Sequence, residues 1–214
     1  PERVICDPEL TVGLPAHLTA AVGIDALSHN LEALCAPGYH PMADGIAFEG
    51  IKKVHRALRR ACADGGDIEA RADMMIASTM GATAFQKGLG AMHSMSHPIG
   101  ATLNAHHGLT NAIVMPYVLG FNRPAIRTRM DDLGRFLGLP GDGFDAVLKW
   151  VLELRQTLDI PNTTAALGFT EAHCADLAQA AADDPTAPTN PIPLTAQIME
   201  GLFGEALRGE INIR

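Results

Sequence analysis

The sequence predicts an all-α protein, a helical bundle preceded by one short extended segment. Apolar residues recur at helical spacing along almost the whole chain of 214 residues, which is typical of amphipathic and buried helices. Only the stretch RVICDPEL, residues 3–10, contains the short apolar run expected of a strand. Because 47% of the residues are hydrophobic, the chain is able to bury a substantial core.

The predicted helices follow one another without a repeat period or a low-complexity linker. Leu27, Leu31 and Leu34 fall near one face of the first helix. The run DDPTAPTNPIP, residues 183–193, is predicted to be a proline-rich loop because a predicted helix lies on each side of it. In chain order the predicted helices cover residues 15–34, 42–64, 68–87, 109–122, 125–138, 143–159, 170–183 and 194–207, and the histidine-rich segment 88–108 is also predicted to be helical.

Charge and composition exclude several classes of function. The formal net charge is -8, which argues against a nucleic-acid-binding surface. The basic residues between positions 52 and 60 have the spacing of a solvated helix face. No apolar run approaches the roughly 20 residues that a membrane helix needs, and no secretory leader is visible. The four scattered cysteines predict free thiols in a reducing compartment, the cytoplasm.

Two pairs of potential metal ligands have helical spacing. His93 and His97 are four residues apart, so on a helix their Cβ atoms lie about 5–6 Å from each other. Asp25 and His29 have the same spacing within a segment of small and apolar residues. A carboxylate in such a helix is costly unless it has a partner. Imidazole and carboxylate ligands together suit iron, zinc, manganese or cobalt.

Each of these groups also has a structural interpretation that the residues alone leave open. Asp25 could be a hydrogen-bonded core carboxylate, and His29 a half-exposed surface residue. The pair His106–His107 precedes Gly108 and could mark an ordinary boundary between a helix and a loop. A metal site is favoured by the occurrence of these groups together on separate predicted helices.

At these positions the sequence resembles the iron-containing (group III) alcohol dehydrogenases. The resemblance covers most of residues 5–120, and its most specific part is the combination of DxxxH with GxxHxxxHPxG…HG. The matching runs are DPELTVGLPAHLTAAVGIDALSHNLEA, PMADGIAFEGI, EARADMMIASTMGATAF and GLGAMHSMSHPIGATLNAHHGLTNAIVMPYVL.

The resemblance implies a helical bundle like the C-terminal domain of dehydroquinate synthase-like proteins, with a bound Fe(II) or Zn(II) ion. His97 corresponds to a family histidine that lies near the metal without binding it, faces the nicotinamide of NAD(P) and the substrate, and is a candidate for proton relay. The implied reaction interconverts a primary or secondary alcohol and its aldehyde or ketone. The implied metal ligands are Asp25, His29, His93 and His107.

The chain departs from the family in one respect, since it contains neither the glycine-rich phosphate-binding turn nor the βαβ alternation of a dinucleotide-binding domain. We therefore expect residues 1–214 to form the metal-binding half alone, with the dinucleotide-binding domain absent from this chain and the isolated chain inactive. The expected partners are that domain and a small alcohol or aldehyde, and a homo-oligomer such as a dimer is compatible with the family.

Other classes of protein fit the sequence less well. A carboxylate-bridged di-iron bundle needs Glu-x-x-His pairs, and a zinc protease needs HExxH; the chain contains neither. The presence of all four implied ligands disfavours the maleylacetate-reducing branch of the family, which dispenses with them. The alternative from another class is a noncatalytic helical interaction or metal-binding module derived from the same family.

Overall fold

The computed structural model describes residues 2–213; Pro1 and Arg214, the two ends of the expected domain, lie outside this range. Eight α-helices and four short 3₁₀ helices account for all the regular structure of the described residues, so the predicted all-α fold is confirmed. Residues 2–6, which carry the strand-like pattern, have no regular secondary structure and form no strand. The helices are α1 (Ala16–Cys35), α2 (Pro41–Ala63), α3 (Ile68–Ala84), α4 (Ala91–Leu103), α5 (His107–Leu137), α6 (Gly143–Thr157), α7 (Glu171–Ala182) and α8 (Ala196–Arg208).

Helix α1 packs against three other helices, α2, α3 and α5, while α4, α6 and α8 pack on α5. Leu27, Leu31 and Leu34 of α1 are completely buried, which agrees with the apolar face predicted for this helix. Most of α1 is buried from Thr19 onward, so Asp25, His29 and Glu32, which are buried or half-buried, face other elements of the bundle.

Helix α5 corrects the prediction of two helices at residues 109–122 and 125–138. The structure has one continuous helix of 31 residues that passes through Pro124. An internal proline removes one backbone hydrogen bond and crowds the preceding turn, at a cost of about 3 kcal/mol. Phe121 and Ile126, on either side of the proline, are both buried in the same core, and burying such side chains offsets that cost.

The start of α5 approaches α1 unusually closely. Gly108 is the second residue of α5, and a Cβ atom added there would collide with the carbonyl oxygen of Ala21 and lie 3.1 Å from the Cβ of Asp25. The absence of a side chain at Gly108 therefore allows His107, the first residue of α5, to lie beside Asp25.

Replacing Gly108 by alanine tests this close contact. We expect Gly108→Ala to lower the free energy of unfolding by about 1–3 kcal/mol, because the backbones of α1 and α5 must separate to admit a methyl group. Gly201→Ala is the matched control, since a Cβ at this exposed helical glycine meets nothing within 4 Å and alanine is favoured over glycine inside a helix. Urea denaturation of both variants measures the difference. Equal effects would mean that the contact at Gly108 is not tight.

No helix within residues 2–213 combines the length and the apolar character needed to cross a membrane.

Candidate metal centre

One face of α1 carries three polar side chains. Asp25, His29 and Glu32 are spaced at i, i+4 and i+7, which places them in one row along the helix. The Asp25 side chain is 21% exposed, that of Glu32 is 5% exposed, and His29 is half-buried. This row faces the region where the first turns of α4 and α5 meet α1.

Helices α4 and α5 supply the remaining imidazoles. His93 lies in the first turn of α4 and is 2% exposed, whereas the His97 side chain, one turn later, is 42% exposed. After α4 the chain reverses at Asn104, which has a left-handed backbone with φ of 51°, and α5 begins at His107. The centroids of the His93 and His107 rings are 5.3 Å apart.

The four implied metal ligands lie close together. Asp25, His29 and His93 each offer one ligand atom within 4.8 Å of the others. The Nε2 atom of His107 lies 3.5 Å from Asp25 Oδ1, and the rings of His29 and His93 are stacked with centroids 4.8 Å apart. The structure therefore brings together one carboxylate and three imidazoles from three helices.

The surroundings of Asn111 test whether this set of groups fits a cation. Its amide nitrogen lies 2.8 Å from Asp25 Oδ1, 3.1 Å from His107 Nε2 and 3.4 Å from His93 Nε2. An amide NH₂ group has only two hydrogens to donate. The amide oxygen of Asn111 is buried and has no hydrogen-bond partner among the described residues. Three acceptors therefore share two hydrogens, and the amide oxygen beside them has no donor. A divalent metal ion that binds oxygen and nitrogen ligands would satisfy these acceptors.

His97 has a different partner from the other histidines of this cluster. Its Nδ1 atom lies 2.8 Å from a carboxylate oxygen of Asp184 in the loop after α7. The ring is stacked on that of His107, with centroids 5.5 Å apart. Asp184 is fixed in turn, because the backbone N–H and the hydroxyl of Thr186 both donate to its other oxygen. His97 therefore lies at the edge of the cluster, and its Nδ1 atom is hydrogen-bonded to Asp184, which is not part of the cluster.

Burial and neighbouring charges move the pKa values of these groups in different directions. Burial lowers the pKa of His29 and of His107, although the charge of Asp25 acts in the opposite sense. Burial also acts to lower the pKa of His93, but the hydrogen bond and the charge of Glu32 outweigh it, and that pKa is raised. The pKa of Asp184 is lowered, because its bonds from Thr186 and His97 outweigh the effect of burial.

Sequence reasoning did not identify Glu32, Asn111 or Asp184 as residues of the site. Glu32 carried a usable signal, since it extends the Asp25–His29 row by one further helical position. Asn111 follows His107 by one helical turn, which is the same kind of signal. Asp184 is 87 positions from its partner His97, and no local pattern links the two.

The chain is similar to known proteins of one family. Residues 19–207 match the model of the Fe-containing alcohol dehydrogenase family, C-terminal. The chain is 46% identical over 180 residues to 4-hydroxybutyrate dehydrogenase of Cupriavidus necator, a match that covers 80% of this chain and 47% of that protein. It is 36% identical over 214 residues to the NAD-dependent methanol dehydrogenase of Bacillus methanolicus, covering 97% of this chain and 56% of that protein.

Solved structures give the same result. The crystal structure of a 1,3-propanediol oxidoreductase superposes with a TM-score of 0.90 at 32% identity, over 94% of this chain and 55% of that chain. The chain therefore spans about half the length of the relatives that it matches.

The imidazole pKa shifts determine how metal binding should respond to pH. His29 and His107, with lowered pKa values, are neutral above the ordinary histidine pKa of about 6.5, whereas His93, with a raised pKa, retains a proton to higher pH. Metal ligands must be deprotonated. We therefore expect the affinity for Zn(II) to fall as the pH is lowered from about 8.5 to about 6, by roughly tenfold per pH unit for each proton displaced.

Isothermal titration calorimetry at several pH values, in buffers of different ionisation enthalpy, measures both the affinity and the protons released. An affinity that does not change over this range, with no proton release, would contradict binding through imidazoles.

Proposed function

Because the chain belongs to the iron-containing alcohol dehydrogenase family, we propose that it is the metal-binding half of an alcohol dehydrogenase that uses a nicotinamide cofactor. The observation that supports the proposal is the proximity of one carboxylate and three imidazoles: ligand atoms of Asp25, His29 and His93 lie within 4.8 Å of one another, and His107 Nε2 lies 3.5 Å from Asp25 Oδ1. In this proposal residues 1–214 form one helical domain, and a dinucleotide-binding domain completes the active site. The support for a second domain is the length of the relatives, about twice that of this chain.

Asp25, His29, His93 and His107 are the residues that would hold the metal ion, which we propose to be Fe(II), with Zn(II) able to take the same ligands. When bound, the metal acts as a Lewis acid on the oxygen of the alcohol or carbonyl substrate, and the nicotinamide ring accepts or donates the hydride. The role of the protein is to hold the four ligands in place before binding, which the packing of α1, α4 and α5 supports.

His97 is the residue that we propose to move the proton of the substrate hydroxyl. Its Nδ1–H donates to Asp184, so its Nε2 atom carries the lone pair and is free to accept a proton. The ring lies beside His107 at the edge of the cluster and is 42% exposed. Because the His97 side chain is partly exposed, we propose that a proton accepted at Nε2 passes to solvent and that the Asp184 carboxylate stabilises the imidazolium that forms.

The substrate class follows from what the relatives share. 4-Hydroxybutyrate, methanol and 1,3-propanediol, named in the relatives above, are all primary alcohols. We propose that this chain also acts on a small primary alcohol and the corresponding aldehyde. The cofactor is proposed to be NAD, as in the methanol dehydrogenase.

The four cysteines form no disulfide, which supports a reducing compartment such as the cytoplasm.

A chimera tests the proposed function. The amino-terminal part of the Cupriavidus necator enzyme, joined to this chain, should oxidise 4-hydroxybutyrate with NAD and should lose that activity when the metal is removed. His97→Gln in the chimera should lower kcat by roughly 10²–10⁴-fold, because general acid–base catalysis is lost, while the metal content stays near that of the parent.

His17→Ala is the control, since His17 is an exposed histidine near the start of α1 and should have no effect on kcat. A folded, metal-loaded chimera without activity would favour the noncatalytic module. A variant at His97 that loses metal and stability but retains its rate per bound metal would assign His97 a structural role.

A further inference from the structure

We propose that Glu32 is a positioning residue of the metal centre, which fixes the ring and the tautomer of His93 so that only Nε2 is available to a metal ion. The inference deepens the proposed function, since it concerns the same centre. Glu32 contacts His93 at Nδ1 and not at the Nε2 atom that faces Asp25, so it acts on the centre through His93.

The contact between the two side chains is short and buried. The Oε2 atom of Glu32 lies 2.6 Å from His93 Nδ1, and the exposed fractions of the two side chains are 5% and 2%. A carboxylate only accepts hydrogen bonds, so the hydrogen must reside on Nδ1. In neutral His93 the lone pair is then on Nε2, the atom that lies 3.9 Å from Asp25 Oδ1 and 3.4 Å from the Asn111 amide nitrogen.

Glu32 is itself held in place at the start of α4. Its Oε1 atom accepts a hydrogen bond of 2.7 Å from the backbone N–H of Met92. The first N–H groups of a helix favour a negative charge, so the carboxylate is stabilised where it is buried. Gly90 leaves room for this arrangement, because a Cβ atom there would lie only 3.1 Å from Oε1. With one oxygen fixed by the backbone, the other is directed at His93.

Asn190 is a second hydrogen-bond acceptor at the start of α4, and comparing it with Glu32 distinguishes helix capping from the positioning of His93. The backbone N–H of Ala91 donates to Oδ1 of Asn190 at 3.1 Å, and the same oxygen accepts from Asn122. Asn190 therefore satisfies the neighbouring N–H of the first turn of α4, and no hydrogen bond joins it to His93. If Glu32 were only a helix cap, removing either acceptor would have the same kind of effect on the centre.

Glu32→Gln tests the proposal, because it keeps the size of the side chain and reverses one hydrogen bond. The glutamine oxygen can still accept from Met92 N–H, but its NH₂ group then donates to Nδ1 and places the hydrogen of His93 on Nε2. We expect ¹⁵N NMR spectra of the metal-free protein at alkaline pH to show the His93 tautomer switch. We expect the affinity for Zn(II) to fall roughly 10–100-fold, as for other residues that orient metal-binding histidines.

Asn190→Ala is the matched control. It should lower the thermal midpoint while leaving the His93 tautomer unchanged and the Zn(II) affinity within about twofold of the wild-type value. Glu32→Asp, which retains a carboxylate acceptor, should keep the original tautomer of His93. It is the variant to measure if the glutamine variant does not fold.

Two results would overturn the role of Glu32. One is a glutamine variant in which His93 keeps its hydrogen on Nδ1, and the other is an equal loss of Zn(II) affinity in the Asn190 variant. Failure of the wild-type chain to bind Zn(II) would instead contradict the proposed function, whereas the tautomer in the metal-free spectra is measured independently of any metal.

Discussion

The close approach of the first turn of α5 to α1, together with the side-chain contact that joins α1 to the first turn of α4, is the constraint on which the candidate centre depends. Gly108 permits α5 to approach the backbone of Ala21, and the carboxylate of Glu32 joins α1 to the start of α4. These two contacts place imidazoles from two helices beside Asp25. The positions of these side chains are therefore set by packing and by backbone hydrogen bonds within the bundle.

The same packing creates an electrostatic imbalance that a cation would relieve. Asp25 and Glu32 bring two carboxylates to the cluster. The amide nitrogen of Asn111 is a neutral donor that lies within hydrogen-bond distance of Asp25, His93 and His107. Acceptors gathered in a partly buried site are unfavourable unless a donor, a cation or water satisfies them. In the proposed centre, a divalent ion held by Asp25, His29, His93 and His107 would satisfy these acceptors and link three helices.

Much of the fold and part of the site could be predicted from the sequence, and the limits have physical causes. Helical periodicity identified most of the helices, but it predicted two helices where the structure has the single helix α5, which continues through Pro124. The spacing of Asp25 and His29 indicated a shared face, because both lie on one helix. Spacing could not distinguish the roles of His93 and His97, which only the family resemblance separated. The partner of His97, Asp184, is a long-range contact that only the folded chain reveals.

X-ray absorption at the metal edge of the chain loaded with Zn(II) or Fe(II) tests the central claim most directly. We expect a first shell of nitrogen and oxygen at about 2.0–2.2 Å, with the outer-shell scattering of three imidazoles. Asp25→Asn should alter this shell, and the exposed His17→Ala variant should leave it unchanged. A shell without imidazole scattering, or one that is identical in the Asp25 variant, would contradict the assignment of Asp25, His29, His93 and His107 as the metal ligands.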